Sequence, residues 1–319
     1  MKQSRVAIII INWNSFSYTN DCLNSLNELE DECDVVIVDN ASTDDSLIML
    51  REYHPDIHYV ENEENLGFTG GNNQGMAYAL ERNFEFILLL NNDTFVEKNF
   101  LSVLVGVLDN NPGIGAVQPK IFYNHDRNLI WHAGGKYFPA FTHPRTLGNN
   151  KVDAPEFNVQ KEVDWVTGCA LLVKTEVVRK VGLLNDLFFY GGYDDVDWSL
   201  RIRKAGFKLF YCPKSIIYHV ATVASKTDQP GKEGLLRPYF HYLINRNQII
   251  LMRLHTSLVF KFTSYLYQFL KFGAYSFYFL VRNRPRKLRA FVHGFFHGFT
   301  KPLVPESLKH KHYIQLYKE

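Results

Sequence analysis

The chain has 319 residues, of which 46% are hydrophobic. This is enough for a large α/β domain with an appendage, and it excludes a disordered or fibrous protein. The four cysteines lie far apart without a C-x-x-C pair, which argues against a disulfide framework or a zinc ribbon and favours a reducing cytosol. Residues 1–200 carry 14 Lys and Arg against 29 Asp and Glu, whereas residues 201–319 carry 21 against 4. The basic last part therefore predicts an anionic partner, either nucleic acid or a membrane surface.

Apolar runs of strand length alternate with helix-like stretches in the first part of the chain. The predicted strands are Val6–Ile11, Cys33–Val38, Ile57–Val60 and Phe86–Leu90, and the predicted helices are Tyr18–Leu29, Asp44–Tyr53 and Gly71–Arg82. Strands that are apolar on both faces and alternate with helices indicate βαβ units and a parallel sheet. The first run is too short for a signal-peptide core, so we expect a first β-strand there.

Short polar residues follow each of the four predicted strands. They are Asn12 and Asn14, then Asp39 and Asn40, then Asn65, Gly67, Gly70, Gly71 and Asn73, and last Asn91, Asn92 and Asp93. Ligands of open α/β sheets gather at the carboxyl ends of the strands. For any single cluster, the preference of Asn, Asp and Gly for turns is about as good an explanation as a ligand site. Four clusters at one edge favour a ligand site.

The chemistry of these strand ends indicates a nucleotide. Asp39 can accept hydrogen bonds from a base or ribose, and the glycines allow close approach of a ligand before a helix whose N-terminus favours anions. The turn after the first strand has no glycine, which argues against a dinucleotide-binding G-x-G-x-x-G motif. The chain also has no G-x-x-x-x-G-K-[ST], so a P-loop nucleotide hydrolase is disfavoured.

Asp93 is the candidate metal ligand. A carboxylate at a strand end beside a diphosphate site can bind a divalent cation, with Asn carbonyl oxygens as weaker ligands. The alternative is that Asn92 and Asp93 cap a helix that begins near Glu97.

A second acidic cluster, Asp194, Asp195 and Asp197, follows a Gly-Gly turn and opens a helix-like stretch that ends at Gly206. Asp194 and Asp197 would lie one turn apart, so that Asp195 points elsewhere. One of these carboxylates can act as a general base that deprotonates an acceptor hydroxyl. The alternative is a run of acids favoured by the dipole at a helix N-terminus.

The motifs together resemble the family 2 glycosyltransferases with the GT-A fold, especially the rhamnosyltransferase-like branch of bacterial surface polysaccharide synthesis. The resemblance covers about residues 5 to 225 and is carried by IINWNS, VDNASTD, ENLGFTGGNNQG, LLLNNDT, DWVTGCALLVK, FFYGGYDDVDWSLRIRKAGFKLFYCP and YHVATVAS. It implies an α/β fold with a mostly parallel central sheet flanked by helices. It also implies a catalytic domain over residues 1–225, followed by a helical, basic and aromatic-rich region over residues 226–319.

The resemblance also assigns roles to residues. The equivalent of Asp39 contacts the nucleoside base, and the D-x-D position falls on Asn91-Asn92-Asp93, where only the last carboxylate remains. The divalent cation would be Mg or Mn, with Asp93 and His219 as its ligands. Asp194 and Asp195 match the family's acidic pair, with Asp195 as the base. Trp165, Gly168 and Trp198 lie in motifs expected on the acceptor or donor-sugar side.

The implied reaction inverts the anomeric configuration, because one activated hydroxyl displaces the nucleoside diphosphate. The absence of a Q-x-x-R-W motif argues against a processive synthase, so we expect transfer of one sugar per event. The donor would be a UDP- or dTDP-sugar, with dTDP-rhamnose among the candidates, and the acceptor a saccharide or polyprenyl-linked saccharide. Two other classes of protein are the alternatives. A sugar nucleotidyltransferase would need a Gly-rich loop with Arg and Lys after the first strand, which INWNSFSY lacks. A non-catalytic membrane-binding protein would be expected to have lost Asp93 or Asp195, and both are present in this sequence.

The stretch from Ser257 to Val281 is rich in Phe and Tyr and is followed by Arg282, Arg284, Arg286, Lys287 and Arg289. Lys261 and Lys271 within it disfavour a transmembrane helix. An amphipathic helix on an anionic membrane fits better, and packing on the catalytic domain or within an oligomer is the remaining alternative. Nucleic acid is the weaker partner, because no recognition motif accompanies the charge. We therefore expect a cytoplasmic protein at the inner face of the cell membrane. The role of Arg246-Asn247 in RPYFHYLINRNQ stays open.

Overall fold

Four parallel strands form the first part of the central sheet. The structure is a computed structural model, and it describes residues 4–221 and 236–304. The four strands are β1 (Val6–Asn12), β2 (Asp34–Asp39), β3 (His58–Glu61) and β4 (Phe86–Leu90), and the helices between them are α1 (Phe16–Leu26), α2 (Ser46–Tyr53) and α3 (Gly67–Glu81). All five residues of β4 are buried, as expected for a central strand covered on both faces. The predicted strands and helices of this region are present, with ends shifted by a few residues.

The register of these strands brings their carboxyl ends together. β1 lies between β2 and β4, with Asn12 opposite Asp39 and Ile10 opposite Leu90. The polar residues that follow each strand therefore lie along one edge of the sheet.

Later strands extend the sheet in mixed directions. They are β5 (Thr94–Val96), β6 (Ile114–Tyr123), β7 (Leu129–His132), β10 (Lys151–Val152), β11 (Lys161–Val163), β12 (Ala170–Lys174) and β13 (Lys208–His219). β12 is antiparallel to both β4 and β6, while β13 runs parallel to β6 and antiparallel to β5 and β11. The sequence pattern predicted part of β13, the strand-like stretch SIIY before His219, and none of the other strands individually. Two further short strands, β8 (Gly135–Phe138) and β9 (His143–Thr146), form a separate pair.

The helices of this region are α4 (Phe100–Asp109), α5 (Thr175–Val181) and α6 (Asp194–Lys204). The start of α4 corrects one alternative. Its N-cap residue is Asn99, and β5 lies between Asp93 and this helix. Asn92 and Asp93 therefore do not cap a helix, and the capping interpretation is wrong.

The chain divides into two compact units. The first is Met1–Lys136, Arg145–Leu184 and Asp195–Ala221, and the second is Tyr137–Pro144, Asn185–Asp194 and Thr222–Glu319. The second unit thus takes two short segments from earlier in the chain. The predicted domain boundary at residues 225 and 226 and the end of the YHVATVAS motif lie outside the described residues.

Helices α7 (Pro238–His255), α8 (Lys261–Val281) and α9 (Pro285–Thr300) make up most of the described second unit. α7 and α9 pack closely, because Gly294 and Gly298 leave no side chain between the backbones: a Cβ on Gly294 would lie 2.4 Å from the carbonyl oxygen of Tyr242. Stacked rings, including Phe272 on Phe295 at 4.2 Å between centroids, join α8 to α9. Within residues 4–221 and 236–304, no helix is long and apolar enough to cross a bilayer.

The packing of α3 on the sheet predicts a stability difference between two helical glycines. A Cβ on Gly75 would lie 2.2 Å from Cγ2 of Ile9, whereas a Cβ on Gly106 in α4 would have nothing within 4 Å. Gly75→Ala should lower the free energy of unfolding by about 1–3 kcal/mol through overpacking. Gly106→Ala should raise it by about 0.5–1 kcal/mol, since alanine has the better helix propensity.

Urea denaturation of both variants and the parent measures this difference. Equal midpoints for the two variants would contradict the close contact between α3 and β1.

Candidate functional site

Asn12 and Asp39 form a buried polar pair at the ends of β1 and β2. The amide group of Asn12 donates to Asp39 Oδ1 at 3.0 Å, and its oxygen accepts from the Thr19 hydroxyl at 2.8 Å. Asp39 also accepts from the backbone N–H and the hydroxyl of Ser42, at 2.9 and 2.6 Å. The donors fix the orientation of the Asp39 carboxylate. Asn14, in a left-handed conformation at φ 48°, joins the loop by accepting from the Thr43 N–H.

Asn40 connects the β2 end to the loop before α3. Its amide nitrogen donates to Asn65 Oδ1 and to the Gly67 carbonyl, at 3.2 and 3.0 Å, and its oxygen accepts from the Leu66 N–H at 3.1 Å. Gly67 has a φ of 68°, which a residue with a side chain rarely adopts. The loop that the sequence analysis assigned to a nucleotide is therefore fixed by side chains of the neighbouring strand end.

Gly70, Gly71 and Asn73 have packing roles in the structure. A Cβ on Gly70 would lie 2.6 Å from Leu66 Cβ, and one on Gly71 would lie 3.0 Å from Ile11 Cδ1. Asn73 exchanges two hydrogen bonds with the backbone of Leu184, at 2.9 and 3.0 Å. These contacts explain the residue types without a ligand, and nucleotide binding by these three residues stays a prediction.

Asp93 and His219 meet beyond the carboxyl end of β4. In the pairing of β13 with β5, His219 lies opposite Thr94. Its Nε2 lies 3.0 Å from Asp93 Oδ1 and 3.3 Å from the Asn91 amide nitrogen. Burial acts to raise the pKa of Asp93, but the hydrogen bond and charge of His219 outweigh it, so this pKa is lowered. The structure therefore brings together the two residues predicted as metal ligands.

Asp93 and His219 fit a cation whose other ligands come from a bound substrate. They do not fit a metal that is held by protein side chains alone. A carboxylate and an imidazole, with the Asn91 side chain beside them, are suitable donors for Mn²⁺, and Mg²⁺ would rely mainly on the carboxylate. His219 Nδ1 is buried and has no hydrogen-bond partner among the described residues. Within the same residues, no three His, Cys, Asp or Glu side chains form a set able to hold a metal. The remaining coordination positions would have to come from diphosphate oxygens and water.

Asp195 lies at the start of α6 and is held by backbone donors. Its Oδ2 accepts from the Gly168 N–H at 3.2 Å, and its Oδ1 accepts from the Val196 N–H at 2.8 Å. Loss of hydration around the carboxyl group raises its pKa above the ordinary value of 3.8, although these bonds and the Thr167 side chain oppose the rise. A partly exposed carboxylate with a raised pKa has the properties of a general base.

A short chain segment connects the two candidate carboxylates. Gly168 donates to Asp195, and the carbonyl of the next residue, Cys169, accepts from the backbone N–H of Asn91 at 2.9 Å. Burial raises the pKa of the Cys169 thiol, and the negative charges of Asp93 and Asp195 raise it further. Both carboxylates therefore lie near the first residues of the chain leading into β12.

The other two acids of the cluster have structural contacts. Asp194 Oδ1 accepts from the Gly192 N–H at 2.6 Å, which holds the turn before α6. Asp197 is 1% exposed and binds Arg201 Nε at 2.8 Å. Asp195 has other partners, the backbone N–H groups of Gly168 and Val196. A catalytic contribution from Asp194 stays a prediction.

The two tryptophans predicted on the sugar side are both buried. Trp198 is fully buried in the core and donates from Nε1 to the Gly182 carbonyl at 2.9 Å, which gives its ring a structural role. Trp165 is 7% exposed and packs against Gly135, and its Nε1 has no hydrogen-bond partner among the described residues. Gly168 is the member of this set that contacts Asp195.

Sequence reasoning missed the residues that support the segment before Gly168. Gln118 Oε1 accepts from the Thr167 N–H at 3.1 Å, and its amide nitrogen lies 3.0 Å from His132 Nδ1. His132 Nδ1 also accepts from the Gly134 N–H, and burial lowers the pKa of His132 to about 3. A neutral imidazole therefore takes part in this buried network. Thr167 occurs in the DWVTGC motif, but Gln118 and His132 gave no sequence signal.

Comparison with known proteins gives the same assignment as the motifs. A family model described as "Glycosyl transferase family 2" matches residues 7–167. The hexosyltransferase Agl10 of low-salt glycan biosynthesis in Haloferax volcanii is 29% identical over 65% of this chain and 64% of its own length. The rhamnosyltransferase WbbL of Escherichia coli is 25% identical over 68% of this chain and 83% of its own. The dTDP-rhamnosyl transferase RfbF of Shigella flexneri is 24% identical over 73% and 77%.

Solved structures show the same fold. GalNAc-T7 with UDP, GalNAc and Mn²⁺ superposes with a TM-score of 0.61 and 14% identity, covering 79% of this chain and 48% of that protein. The mannosyltransferase PcManGT of Pyrobaculum calidifontis with GDP-Man and Mn²⁺ gives 0.54 and 17%, covering 92% and 74%. The predicted α/β GT-A fold and the family resemblance are confirmed, but the central sheet is mixed rather than mostly parallel, because β12 and several shorter strands pair in the antiparallel direction. The chain belongs to glycosyl transferase family 2 and has the GT-A fold.

Proposed function

We propose that this protein transfers one sugar, with inversion, from a nucleoside diphosphate sugar to a hydroxyl of a saccharide or lipid-linked saccharide. The observation that carries the proposal is the arrangement of two carboxylates, Asp93 and Asp195, around the Gly168–Cys169 segment. One lies where a diphosphate can be held with a cation, and the other has the properties of a base. UDP- and dTDP-sugars are the candidate donors, and the names of the relatives WbbL and RfbF make dTDP-rhamnose the first to test.

The strand-end residues would bind the donor. The Asp39 carboxylate, oriented by Asn12 and Ser42, would accept hydrogen bonds from the base or ribose. Asp93 and His219 would hold a divalent cation together with the diphosphate, and the cation would neutralise charge on the departing nucleoside diphosphate.

Asp195 would take the proton of the acceptor hydroxyl. The freed oxygen attacks the anomeric carbon as the bond from that carbon to the diphosphate oxygen breaks, and this single displacement inverts the configuration. Backbone donors from Gly168 and Val196 hold the carboxylate during the step. Its raised pKa keeps it basic enough to accept the proton.

The second unit would bring the enzyme to an anionic membrane. Residues 236–304 contain eleven Lys or Arg and no Asp or Glu. In α8 the polar side chains of Ser264 and Gln268 are buried, while the apolar side chains of Phe262 and Phe277 are 77% and 68% exposed. Lys271, the charge in the middle of the helix, contacts Gln248 of α7. An exposed apolar face next to basic residues and without acidic ones fits lipid headgroups and the upper acyl chains.

The proposed reaction is tested with Asp195→Asn, which keeps size and removes the proton acceptor. With dTDP-rhamnose as donor and N-acetylglucosaminyl-diphospho-decaprenol as acceptor, which the name of a Mycobacterium tuberculosis rhamnosyltransferase relative suggests, the rate of transfer should fall by about 10² to 10⁴. The affinity for the donor should stay at the parental value. Parental turnover with weakened binding would make Asp195 a binding residue instead.

The same reaction should depend on pH through Asp195. The charged form is the active base, so kcat/KM should fall as the pH drops through the pKa of Asp195. Because this pKa is raised, the acid limb should lie above pH 3.8. Asp195→Asn should lack this limb, and an unchanged limb in the variant would assign it to another group.

The metal proposal is tested with Asp93→Ala, and Asp45→Ala, an exposed carboxylate at the start of α2, is the control. The Asp93 variant should lose Mn²⁺ binding in the presence of UDP or dTDP, measured by electron paramagnetic resonance, and should lose transfer. The control should retain both. Transfer by the parent in the presence of a chelator would contradict the metal role.

Membrane binding is tested by sedimentation with anionic and neutral liposomes. Arg282 and Arg286 are exposed basic residues, and each contributes about 1 kcal/mol near an anionic surface, so replacing both with Gln should weaken partitioning about 30-fold. Leu270→Glu in α8 should also weaken binding, whereas Ile48→Glu, at a comparable exposure in α2, should not. Equal binding to neutral liposomes, or no binding to either kind, would contradict the proposal.

A further inference from the structure

Four consecutive residues before α6 have a left-handed backbone. Their φ angles are 72° at Tyr190, 96° at Gly191, 92° at Gly192 and 69° at Tyr193. Glycine adopts this region readily, but tyrosine does so only at a cost that surrounding contacts must offset. The segment runs directly into Asp194 and Asp195, so its conformation sets where α6 begins.

Two adjacent side chains of α7 hold this segment. The amide nitrogen of Asn247 donates to the carbonyls of Gly191 and Gly192, at 3.1 and 2.9 Å. Arg246 donates from Nη2 to the Phe189 carbonyl at 3.1 Å. Three of the four backbone carbonyls from Phe189 to Gly192, those of Phe189, Gly191 and Gly192, thus accept hydrogen bonds from donors of a single helical turn.

The orientation of the Asn247 amide follows from its neighbour. Arg246 Nε lies 2.9 Å from Asn247 Oδ1, and a guanidinium group has donors only, so the atom facing it must be the amide oxygen. The amide NH₂ must then face the two glycine carbonyls. Arg246 and Asn247 are both fully buried. Burial of an arginine at this position is costly and requires hydrogen-bond partners.

We propose that Asn247 and Arg246 are positioning residues, which hold the segment Tyr190–Tyr193 in its left-handed conformation and thereby fix the start of α6 and the carboxylate of Asp195. The proposal rests on the proposed function insofar as it concerns catalysis. Its structural part concerns the conformation of the segment alone. The sequence left the role of the Arg246-Asn247 pair open. In this proposal the two residues contribute to the reaction without contacting either substrate.

Asn245 provides a matched control on the same helix. It is 2% exposed and donates through its amide nitrogen to a carbonyl, that of Phe291 in α9, at 2.8 Å. Asn247→Ala and Asn245→Ala thus each remove a buried amide that donates to backbone carbonyls. Only the first change affects the segment before α6.

Two readouts test the proposal on the full-length protein. Hydrogen exchange of the peptide spanning residues 189–195 should become faster in Asn247→Ala and stay at the parental rate in Asn245→Ala. In the transfer assay, kcat of Asn247→Ala should fall by about 10²-fold, as expected for misplacement of a reacting group, with the donor KM unchanged. Asn245→Ala should keep the parental kcat even if its thermal stability falls equally.

The opposite results would overturn the proposal. Parental exchange in Asn247→Ala would show that α7 does not hold the segment, and equal losses of kcat in the two variants would show a general structural effect. If the parent transfers no sugar, the proposed function fails, while the exchange measurement still decides the structural part.

A second variant covers the case in which Asn247→Ala does not fold. Gly192→Ala acts from the side of the segment, because alanine is strained at φ 92° and its Cβ would lie 3.1 Å from Ile244 Cδ1. It should give the same faster exchange and the same loss of kcat. Parental values for both would contradict the proposal.

Discussion

The backbone hydrogen bonds of Gly168 and Cys169 are the contacts on which the proposed site depends. Gly168 holds Asp195 through its N–H, and Cys169 holds the end of β4 through its carbonyl. A side chain at position 168 would meet the Phe68 ring at 3.1 Å, so glycine allows this segment to lie close to its neighbours. Two carboxylates that are about a hundred residues apart in sequence are thereby positioned by one short stretch of backbone. Any change that moves this stretch should change both the donor side and the base side of the reaction.

The sequence predicted the parallel strands and the polar residues at their carboxyl ends well, because both are recognisable within a short stretch of sequence. A strand such as β4, with five consecutive buried apolar residues, is recognisable without knowledge of its neighbours. β6 was not recognised, although nine of its ten residues are buried, since Gln118 and Lys120 interrupt its apolar run. Their partners, Thr167 for Gln118 and Asp153 for Lys120, are distant in sequence. Burial of a polar residue depends on such partners, which a local pattern does not show.

The candidate site was predictable in its residue types and less so in its contacts. The resemblance suggested Asp93 and His219 as ligands, and the structure places them together through the pairing of β13 with β5. Trp198 occurs in the same motif as Asp195, yet it lies on the core side of α6, because neighbouring helix positions face different directions. Proximity in a motif therefore did not distinguish residues of the site from residues of the core.

The second unit departs from the usual rules of burial in two ways. Arg246 is fully buried, and α8 buries Ser264 and Gln268 while it exposes aromatic residues such as Phe262 and Phe277. The first feature places donors next to the carbonyls before α6, and the second leaves an apolar surface beside cationic residues. Both are explained if this unit serves the reaction by holding the acidic turn and by binding a lipid surface.

We propose that the carboxyl edge of the parallel sheet binds a nucleoside diphosphate with a cation at Asp93 and His219. Anomalous diffraction from crystals grown with Mn²⁺ and either UDP or dTDP tests it most directly. We expect an anomalous peak bonded to Asp93 and His219 and to the diphosphate, with the base next to Asp39. A manganese ion bound elsewhere, or a nucleotide at another edge of the sheet, would contradict it.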